Sequence, residues 1–480
     1  MTKKIISIYD TTLRDGAQTV GISFSLQDKL NIAKILDWLK IDYIEGGWPG
    51  SNPKDEAFFS EVRKLDIQHS KIAAFGSTKR KGLSCKEDPM MQSLVNSKAD
   101  VITLVAKSWD FQVTKALGME LHENLELIYD SVAYLKDLGF TVFLDAEHFF
   151  DGYKSNSDYS LSCLAKACEA GVDMLVLCDT NGGTLPSEVF DITRDVTSKF
   201  STAVGGHFHN DSGVAVANSM YAIDAGAVSI QGTINGYGER CGNCDLITFI
   251  PNSALKMGYH CSSAEVLQHL TEVSRMVSEI ANLPHRENMP YAGDNAFAHK
   301  GGIHVSALQK DTRTYEHIDP SLVGNRRKVL ISELSGKSNV EFKAKELGID
   351  ITGDINLSRT ILEKIKNLEE QGFQFEAAEA SFELIIREAT GEYKPFFNFL
   401  GFRLITEMDS NGYLESEATI KIEVGGILEH TAANGNGPVE AMDNALRKAL
   451  TKFYPEIAQM HLADFKVRVL DDNKGTASSV

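Results

Sequence analysis

The sequence lacks the features of a secreted, disulfide-bonded protein. Only seven of its 480 residues are cysteine, and their spacing is irregular. In so long a chain this does not resemble a disulfide framework, so we expect a reducing compartment and a cytoplasmic protein. Cys241 and Cys244 form a C-x-x-C, but no second pair follows at zinc-ribbon spacing, and we interpret them as part of a tight loop.

Long apolar runs and an excess of basic residues are also missing. No run approaches the ~20 residues of a membrane span, and the segment before Asp10 has too few apolar residues for a signal peptide. The formal net charge of -18 argues against sequence-independent binding to nucleic acid or to an anionic membrane. We therefore expect neither partner, and an anionic ligand must meet a local basic pocket.

The first half of the chain instead contains a regular alternation of strand and helix patterns. Amphipathic helical patterns separate eight short apolar runs, at residues 5–10, 42–47, 71–77, 100–107, 141–149, 173–180, 203–210 and 228–234. Apolar strands that alternate with helices are typical of a parallel sheet, and eight units predict a closed (β/α)8 TIM barrel. An open doubly wound sheet is less favoured, because no Gly-x-Gly-x-x-Gly follows the first strand.

The remaining sequence predicts two further parts. We expect the catalytic barrel over residues 1–270, a helical linker or subdomain over 271–375, and a C-terminal α+β domain over 376–480. Within the linker, Pro284 and Pro290 end a helical pattern, and residues 358–391 are helical in pattern. In the last part, "FNFLGFRLITEMD", "YLESEATIKIEV" and "ADFKVRVLDD" predict strands, and "GPVEAMDNALRKALTKF" predicts a helix.

Polar and charged residues follow the strand runs at their carboxyl ends, where the catalytic groups of barrels gather. In chain order these residues are Asp10, Arg14, Asp15, Gln18, Glu45, Lys107, Glu147, His148, Asp179, Thr180, His207 and His209, and the eighth run leads into "NGYGERCGN" at 235–243. The strand starts are mostly apolar or lysine. The sequence therefore predicts an active site at the carboxyl-terminal mouth of the barrel.

Two histidines at a spacing of two suggest a metal site at this mouth. His207 and His209 point to the same side of a strand, whereas Phe208 points outward. Together with Asp15 they form a two-histidine, one-carboxylate set that suits a divalent cation with open positions for substrate oxygens. Stacked polar residues without a metal are the structural alternative.

Three further residues are candidates for substrate contacts. Arg14 is next to the predicted ligand Asp15 and suits an oxygen that gains negative charge, with a salt bridge as its alternative role. Thr180 suits a substrate carboxylate, with a helix cap as the alternative. Glu147 is the best candidate for a general base, and orienting a histidine is its alternative.

Four ordered motifs, "YDTTLRDGAQ", "DTNGGTLP", "GHFHNDSGVAVAN" and "GTINGYGERCGNCDL", carry a family resemblance. Together the motifs resemble those of the metal-dependent Claisen-condensing barrels, which include the 2-isopropylmalate, homocitrate and citramalate synthases, over roughly residues 5–340. Residues 45–59, 144–154 and 297–327 are most similar to the citramalate branch. The related lyases share the fold and use a cysteine in a glycine-rich loop, but "GERCGN" departs from their "GGCPY"-like pattern, so we interpret Cys241 as structural.

The resemblance implies an acyltransferase that condenses acetyl-CoA, as cosubstrate, with pyruvate and water to give (R)-citramalate and CoA in isoleucine biosynthesis. It implies a divalent metal ion, Zn, Mn or Mg, on Asp15, His207 and His209, with Asn243 as a possible fourth ligand. Arg14 would then stabilise the enolate or alkoxide, Thr180 would anchor the carboxylate of pyruvate, and Glu147 would be the enolising base. His304 would activate the hydrolytic water, reaching in from a partner subunit, with Tyr315 assisting.

The resemblance also bears on assembly and on regulation. It implies a homodimer whose C-terminal domain binds isoleucine or leucine, but the sequence stops at "GTASSV", where the family usually carries a second strand-helix half. We therefore expect a shortened domain with feedback control in doubt. Basic clusters at 77–82 and 324–328 are candidates for the phosphates of CoA.

Three other functions stay open at this point. The same chemistry on 2-oxoisovalerate would make a 2-isopropylmalate synthase, and one methyl or methylene discriminates between substrates by only about 1–3 kcal/mol. A carbon-carbon lyase and a non-catalytic ligand sensor on the same scaffold are further alternatives, because a fold alone does not decide function.

Overall fold

The computed structural model describes residues 4–330, 336–351, 353–373, 375, 378–408, 410–412 and 414–462. The chain divides into two compact units. The first unit comprises residues 1–299 and 311–328, and the second comprises residues 300–310 and 329–480. In the described ranges, no helix is both long enough and apolar enough to cross a membrane.

Eight parallel strands of the first unit close into a barrel. They are β1 Ser7–Asp10, β2 Tyr43–Gly47, β3 Lys71–Ser77, β4 Val101–Lys107, β5 Thr141–Glu147, β6 Met174–Asp179, β7 Ala203–Phe208 and β8 Ser229–Gly232. The first strand closes the barrel, because Tyr9 lies opposite Tyr43 of β2 on one side and opposite Gln231 of β8 on the other. This confirms the predicted (β/α)8 fold, and every strand coincides with a predicted run.

Ten helices accompany the barrel strands in the described part of the first unit. They are α1 Leu26–Trp38, α2 Pro53–Glu61, α3 Pro89–Ser97, α4 Asp110–Gln112, α5 Leu121–Asp137, α6 Phe149–Glu169, α7 Pro186–Lys199, α8 Ala215–Asp224, α9 Leu246–Pro251 and α10 Leu270–Ile280. Local sequence explains several of their starts. Ser25 caps α1 by accepting a hydrogen bond from the backbone of Asp28, and α2, α3 and α7 each begin with a proline.

The barrel contains two apolar layers. Inside it, a small cluster forms from Tyr9, Ala73, Val101, Phe143, Met174, Val176 and Cys178. Outside it, a much larger core lies between the strands and the helices. Phe208 belongs to this outer core and packs on Phe150 of α6, with ring centroids 5.7 Å apart, as its outward orientation predicts.

The second unit has two separate apolar cores in its described residues. Helices α11 Gly302–Leu308, α12 Lys337–Glu346, α13 Ile355–Glu370 and α14 Glu379–Ala389 precede a sheet, and Ile361, Phe382 and Ile386 are central to the helical core. Strands β11 Asn398–Met408, β12 Leu414–Val424 and β13 Ile427–Gly435 then form an antiparallel sheet, and helix α15 Pro438–Leu450 packs on it. Two short strands, β9 Ala298–His299 and β10 Lys328–Val329, lie where the chain passes between the units.

The C-terminal α+β architecture is confirmed, with some differences in detail. The helical pattern at 358–391 is two helices, α13 and α14, interrupted near Gly372. Strand β13 was not predicted, because its residues are intermediate or exposed and show no apolar alternation. The strand predicted in "ADFKVRVLDD" lies outside the described residues.

Candidate active site at the barrel mouth

The side chains of Asp15, in the loop after β1, His207, near the end of β7, and His209, just beyond it, come together. The Nε2 atom of His207 lies 3.3 Å from Oδ2 of Asp15 and 3.3 Å from Nε2 of His209, and the latter lies 3.8 Å from the same oxygen. All three side chains are buried. Ligands about 2.0–2.2 Å from one divalent cation lie about 3.3–3.6 Å from each other in a tetrahedral site, so this cluster is close to a ligating geometry.

The position of His209 differs from the predicted one. Strand β7 ends at Phe208, and His209 lies one residue beyond it, in an isolated antiparallel bridge with Asn243. The backbone N–H of His209 also donates to the carbonyl of Asp179, over 3.3 Å. These contacts hold His209 on the same side as His207, so the alternation that the sequence predicts survives the end of the strand.

The electrostatics of the cluster favour deprotonated Asp15 and His209, whereas they favour a proton on His207. Burial and the neighbouring His207 lower the pKa of His209 to about 3, so this ring is neutral at neutral pH. Burial would raise the pKa of Asp15, but the positive charge of Arg14 and the hydrogen bond to His207 outweigh it and hold the pKa below its usual value. For His207, burial lowers the pKa, but the hydrogen bond to Asp15 raises it more.

Asn243, whose backbone pairs with that of His209, has an unsatisfied side-chain oxygen. Its amide nitrogen donates to the carbonyl of Tyr237 over 3.1 Å, whereas its Oδ1 atom is buried and has no hydrogen-bond partner among the described residues. A buried acceptor without a partner costs about 1–3 kcal/mol. Because an amide oxygen is a ligand for hard cations, the residues present fit a divalent metal ion.

Arg14 is held in place by a fully buried carboxylate. Its Nε atom donates to Oε2 of Glu45 over 2.6 Å, and Glu45 also accepts from the hydroxyls of Tyr9, over 2.7 Å, and Thr11. The guanidinium carbon lies 3.9 Å from the ring centroid of Phe75. Glu45 and Phe75 thus orient the guanidinium, whose Nη1 atom lies 3.7 Å from Oδ2 of Asp15.

Glu147 lies at the end of β5 and forms an ion pair with Lys107 at the end of β4. Its side chain is only partly buried. The next residue, His148, adopts a left-handed backbone conformation with φ 54°, and its ring packs against that of Trp109 at a tilt of 46°, with centroids 5.8 Å apart. Such a conformation is uncommon outside glycine, and here it turns the chain sharply from the strand into α6.

Thr180 has one hydrogen-bonding direction left for a ligand. Its Oγ1 atom accepts from the backbone N–H of His148 over 2.9 Å, and its carbonyl accepts from Arg240 over 2.7 Å. A hydroxyl that accepts one bond still has a proton to donate. The hydroxyl thus contacts the residue that precedes α6, whereas α7 begins after Leu185.

One cavity of about 650 Å³ joins these groups. Its lining includes Arg14, Asp15, Glu147, Thr180, His207 and His209. The segment Thr78–Lys81 lines the same cavity with three basic residues, whose charge contrasts with the acidic chain as a whole. In the other basic cluster, Arg327 forms a double ion pair with the buried Glu316, which favours a structural role for that arginine.

The two remaining site predictions lie elsewhere in the chain. His304 is an exposed residue on α11 in the second unit, beside Ile303, whose relative exposure is 80%. Tyr315 is exposed in the first unit and follows a short 3-10 turn, Thr312–Thr314. All seven cysteines fall in the described part of the chain and are free, with Cys241 exposed and Cys244 buried.

Sequence reasoning missed two groups that support the site. Glu45 was noted only as a strand-end residue, and its contact with Arg14 depends on the path of the loop after β1. Gln231 and Asp145 received no role, although His207 contacts the Gln231 side chain, which in turn contacts Asp145. The available signal was a polar residue inside an otherwise apolar strand, at "SIQG" and "FLDA".

Comparisons with known proteins agree with this architecture. Residues 5–277 match the HMGL-like family, 292–372 match the homocitrate synthase post-HMGL domain-like family, and 376–480 match the LeuA allosteric (dimerisation) domain. The crystal structure of a Bacillus subtilis HMG-CoA lyase superposes with a TM-score of 0.51 at 17% identity, covering 59% of this chain and 97% of that one. At that identity, the superposition supports the barrel fold alone.

Curated relatives align with almost the whole chain. The (R)-citramalate synthase of Geobacter sulfurreducens is 52% identical over 477 residues, which cover 99% of this chain and 90% of that protein. The 2-isopropylmalate synthase of Methanocaldococcus jannaschii is 31% identical over 447 residues, which cover 93% of this chain and 83% of that protein. The sequence is thus much more similar to the first of these enzymes than to the second.

Proposed function

The chain belongs to the HMGL-like family and to its (R)-citramalate synthases, and from that premise we propose how its barrel condenses acetyl-CoA with pyruvate. The products are (R)-citramalate and CoA, and one water is consumed. The observation that carries the proposal is the single cavity in which a buried two-histidine, one-carboxylate cluster lies with Arg14, Thr180 and Glu147. These groups suit the carboxylate and the ketone of pyruvate and the acidic methyl group of acetyl-CoA.

Asp15, His207, His209 and Asn243 are the proposed metal ligands. A divalent ion bound there supplies Lewis-acid polarisation of the keto carbonyl of pyruvate. Two imidazoles and two oxygen donors suit Zn, Mn or Mg to different degrees, with imidazole favouring Zn and oxygen favouring Mn and Mg. The neutral state of His209 supports this role, because a protonated imidazole cannot ligate.

Arg14 and Thr180 are the proposed substrate-binding residues for pyruvate. Thr180 donates its hydroxyl proton to the carboxylate, and Arg14 donates to the oxygen that becomes negatively charged during attack. Because Glu45 and Phe75 already orient the guanidinium, little reorganisation is needed as that charge develops. Arg14 thereby lowers the barrier more than it tightens ground-state binding.

Glu147 is the proposed base, and it also contacts the substrate. It accepts a proton from the methyl group of acetyl-CoA, and the resulting carbon nucleophile bonds to the keto carbon of pyruvate, whose oxygen takes up a proton. The ion pair with Lys107 fixes the position of the Glu147 carboxylate at the end of β5.

His304 is the proposed group for the second step, in which the thioester is hydrolysed. His304 removes a proton from water, the water oxygen bonds to the thioester carbonyl carbon, the C–S bond breaks, and CoA leaves as its thiol. Tyr315 assists by hydrogen bonding. We assign the 271–375 region to complete the active site of a partner subunit, and the exposure of His304 and Ile303 supports an interaction of that kind.

The basic segment Thr78–Lys81 is the proposed contact for the phosphates of CoA. Lys79, Arg80 and Lys81 line the same cavity as the cation cluster, which gives the cosubstrate a path from the surface to the reacting groups. The LeuA-type domain indicates a homodimer. We further propose that isoleucine or leucine is the effector of this domain. We also propose that the enzyme is cytoplasmic and acts in isoleucine biosynthesis.

The identity of the reaction product tests the proposed function. Incubation with acetyl-CoA, pyruvate and Mn²⁺, followed by chiral chromatography, should yield (R)-citramalate, and the isosteric variant Asp15→Asn should yield far less. The same incubation with 2-oxoisovalerate should yield little 2-isopropylmalate. Preferential formation of 2-isopropylmalate would instead assign the chain to that activity, and cleavage of added citramalate without synthesis would favour a lyase.

A further inference from the structure

A buried hydrogen-bond chain runs from the cation cluster into the interior of the barrel. The Nδ1 atom of His207 lies 2.8 Å from Oε1 of Gln231, and the Nε2 atom of Gln231 donates to Oδ1 of Asp145 over 2.9 Å. The three residues lie on β7, β8 and β5, and their side chains are almost completely buried. The chain thus links the two sides of the barrel directly behind His207.

The direction of these hydrogen bonds is fixed at the Asp145 end. The structure places the nitrogen of Gln231 toward Asp145 and its oxygen toward His207, and an ionised Asp145 requires this arrangement because it can only accept. The amide oxygen must then face His207, and it can only accept. A proton is therefore required on Nδ1 of His207, so Nε2, the atom that lies 3.3 Å from Asp15, is the ring nitrogen that gives up its proton when a metal binds.

We propose that Gln231 is a positioning residue for the metal site, because its amide oxygen, oriented by Asp145, fixes the tautomer and the ring orientation of His207. This inference rests on the proposed function only in taking His207 as a metal ligand. Hydrogen bonds behind a ligating histidine raise its basicity and preorganise its ring, and their loss typically costs 10- to 100-fold in metal affinity.

Other buried polar groups at the mouth do not have this connection. Asp10 binds the backbone and the hydroxyl of Thr12, and Asp179 binds Thr184 in the same way, so both stabilise loops.

Ser229 provides a close comparison with Gln231. It lies two residues earlier on β8, is equally buried, and its hydroxyl has no hydrogen-bond partner among the described residues.

Titration of the metal-free protein with Mn²⁺ tests the proposal without any substrate. Loss of the electron paramagnetic resonance signal of free Mn²⁺ gives the Kd. We expect Gln231→Leu to raise the Kd by about 10- to 100-fold, because it removes the acceptor for Nδ1–H. Gln231→Glu keeps an acceptor and should hold the Kd within about threefold of the parent or lower it, since a carboxylate serves the same purpose. Ser229→Ala should leave the Kd unchanged.

A further variant tests the contribution of Asp145 to the hydrogen-bond chain. Asp145→Ala removes the acceptor that orients the Gln231 amide but leaves that amide present. The effect of this variant on the Kd should therefore lie between those of Ser229→Ala and Gln231→Leu. The order of the four variants separates positioning from general damage to the barrel, and far-UV circular dichroism reports whether each is folded. If Gln231→Leu does not fold, the comparison of Asp145→Ala with Ser229→Ala decides.

Two results would overturn the proposal. One is a Gln231→Leu variant that binds Mn²⁺ as tightly as the parent, and the other is a Gln231→Glu variant that binds as weakly as Gln231→Leu. Failure of the enzymatic proposal is a different result: the parent would make no citramalate, while the order of Mn²⁺ affinities among the variants stayed as predicted.

Discussion

The two units of the chain contribute different kinds of residues to the proposed reaction. In the first unit, the cation cluster, Arg14 and Thr180 are buried or partly buried, and each contacts neighbours that fix its orientation. In the second unit, His304 lies exposed on the seven-residue helix α11. The residues proposed to bind ligands thus lie in a preorganised barrel, whereas the residue proposed for the hydrolytic step lies on an exposed surface.

The difference also concerns packing. The barrel has a continuous core between sheet and helices, and the described part of the second unit has two separate smaller cores. Small, separate cores bury less apolar surface per residue and tend to be less stable. We expect substitutions in the barrel to affect metal and substrate binding, and substitutions in the second unit to affect turnover or stability without changing the cation site.

The largest effect should come from breaking the barrel's cation cluster. His207→Ala removes one of the proposed ligands, so metal content should fall and CoA release should be abolished, because Lewis-acid stabilisation of the transition state supplies several kcal/mol. Metal analysis and a thiol assay measure both quantities. Full activity of the variant in metal-depleted buffer would contradict the metal site.

His304→Ala should separate the two units most clearly. We expect turnover to fall by about 10²- to 10⁴-fold, the usual contribution of a general base, while the Kd values for Mn²⁺ and pyruvate stay unchanged. Calorimetry measures binding and the thiol assay measures turnover. His122→Ala, at another exposed histidine, is the matched control. Native turnover in His304→Ala would end the assigned role.

Glu45→Gln should have a smaller effect, confined to the chemistry in the barrel. The variant keeps the shape of the side chain but weakens the charge-assisted hydrogen bond that orients Arg14. Since such bonds contribute about 1.5–3 kcal/mol, kcat should fall by about 10- to 100-fold with little change in the Kd for Mn²⁺. An unchanged kcat would show that Arg14 needs no such support.

The smallest effect on the site should come from the C-terminal sheet. Ile420→Ala removes a buried side chain from the core that β12 forms with α15, and it should destabilise that domain by about 2–5 kcal/mol. Denaturant unfolding measures the change, and the Kd for Mn²⁺ should stay at the parent value. A weakened cation site in this variant would show that the two units are coupled.

The clustering of the proposed metal ligands could be predicted in part, because alternation along β7 places His207 and His209 on one side. Asp15, in the loop after β1, completes the cluster. Glu45 and Gln231 could not be assigned in the same way. The partner of Glu45 depends on the fold of the loop after β1, and that of Gln231 depends on which strands face each other across the closed barrel.

The strands of the fold also differ in whether the local sequence is enough to predict them. Runs such as "DMLVLCDT" predict buried strands because both faces are covered, and strand β6 is indeed buried throughout. Strand β13 carries no buried residue, so its pairing with β12 depends on backbone hydrogen bonds and on neighbours that the local pattern does not reveal.

The measurement that tests the central claim most directly is the rate of CoA release from acetyl-CoA with pyruvate, 2-oxobutyrate, 2-oxoisovalerate and 2-oxoglutarate, each with Mn²⁺ and with a chelator. The proposed active centre predicts release that requires the metal and is fastest with pyruvate. Release that continues undiminished in chelator, or no release with any of the four acids, would contradict a metal-dependent condensing site at the mouth of this barrel.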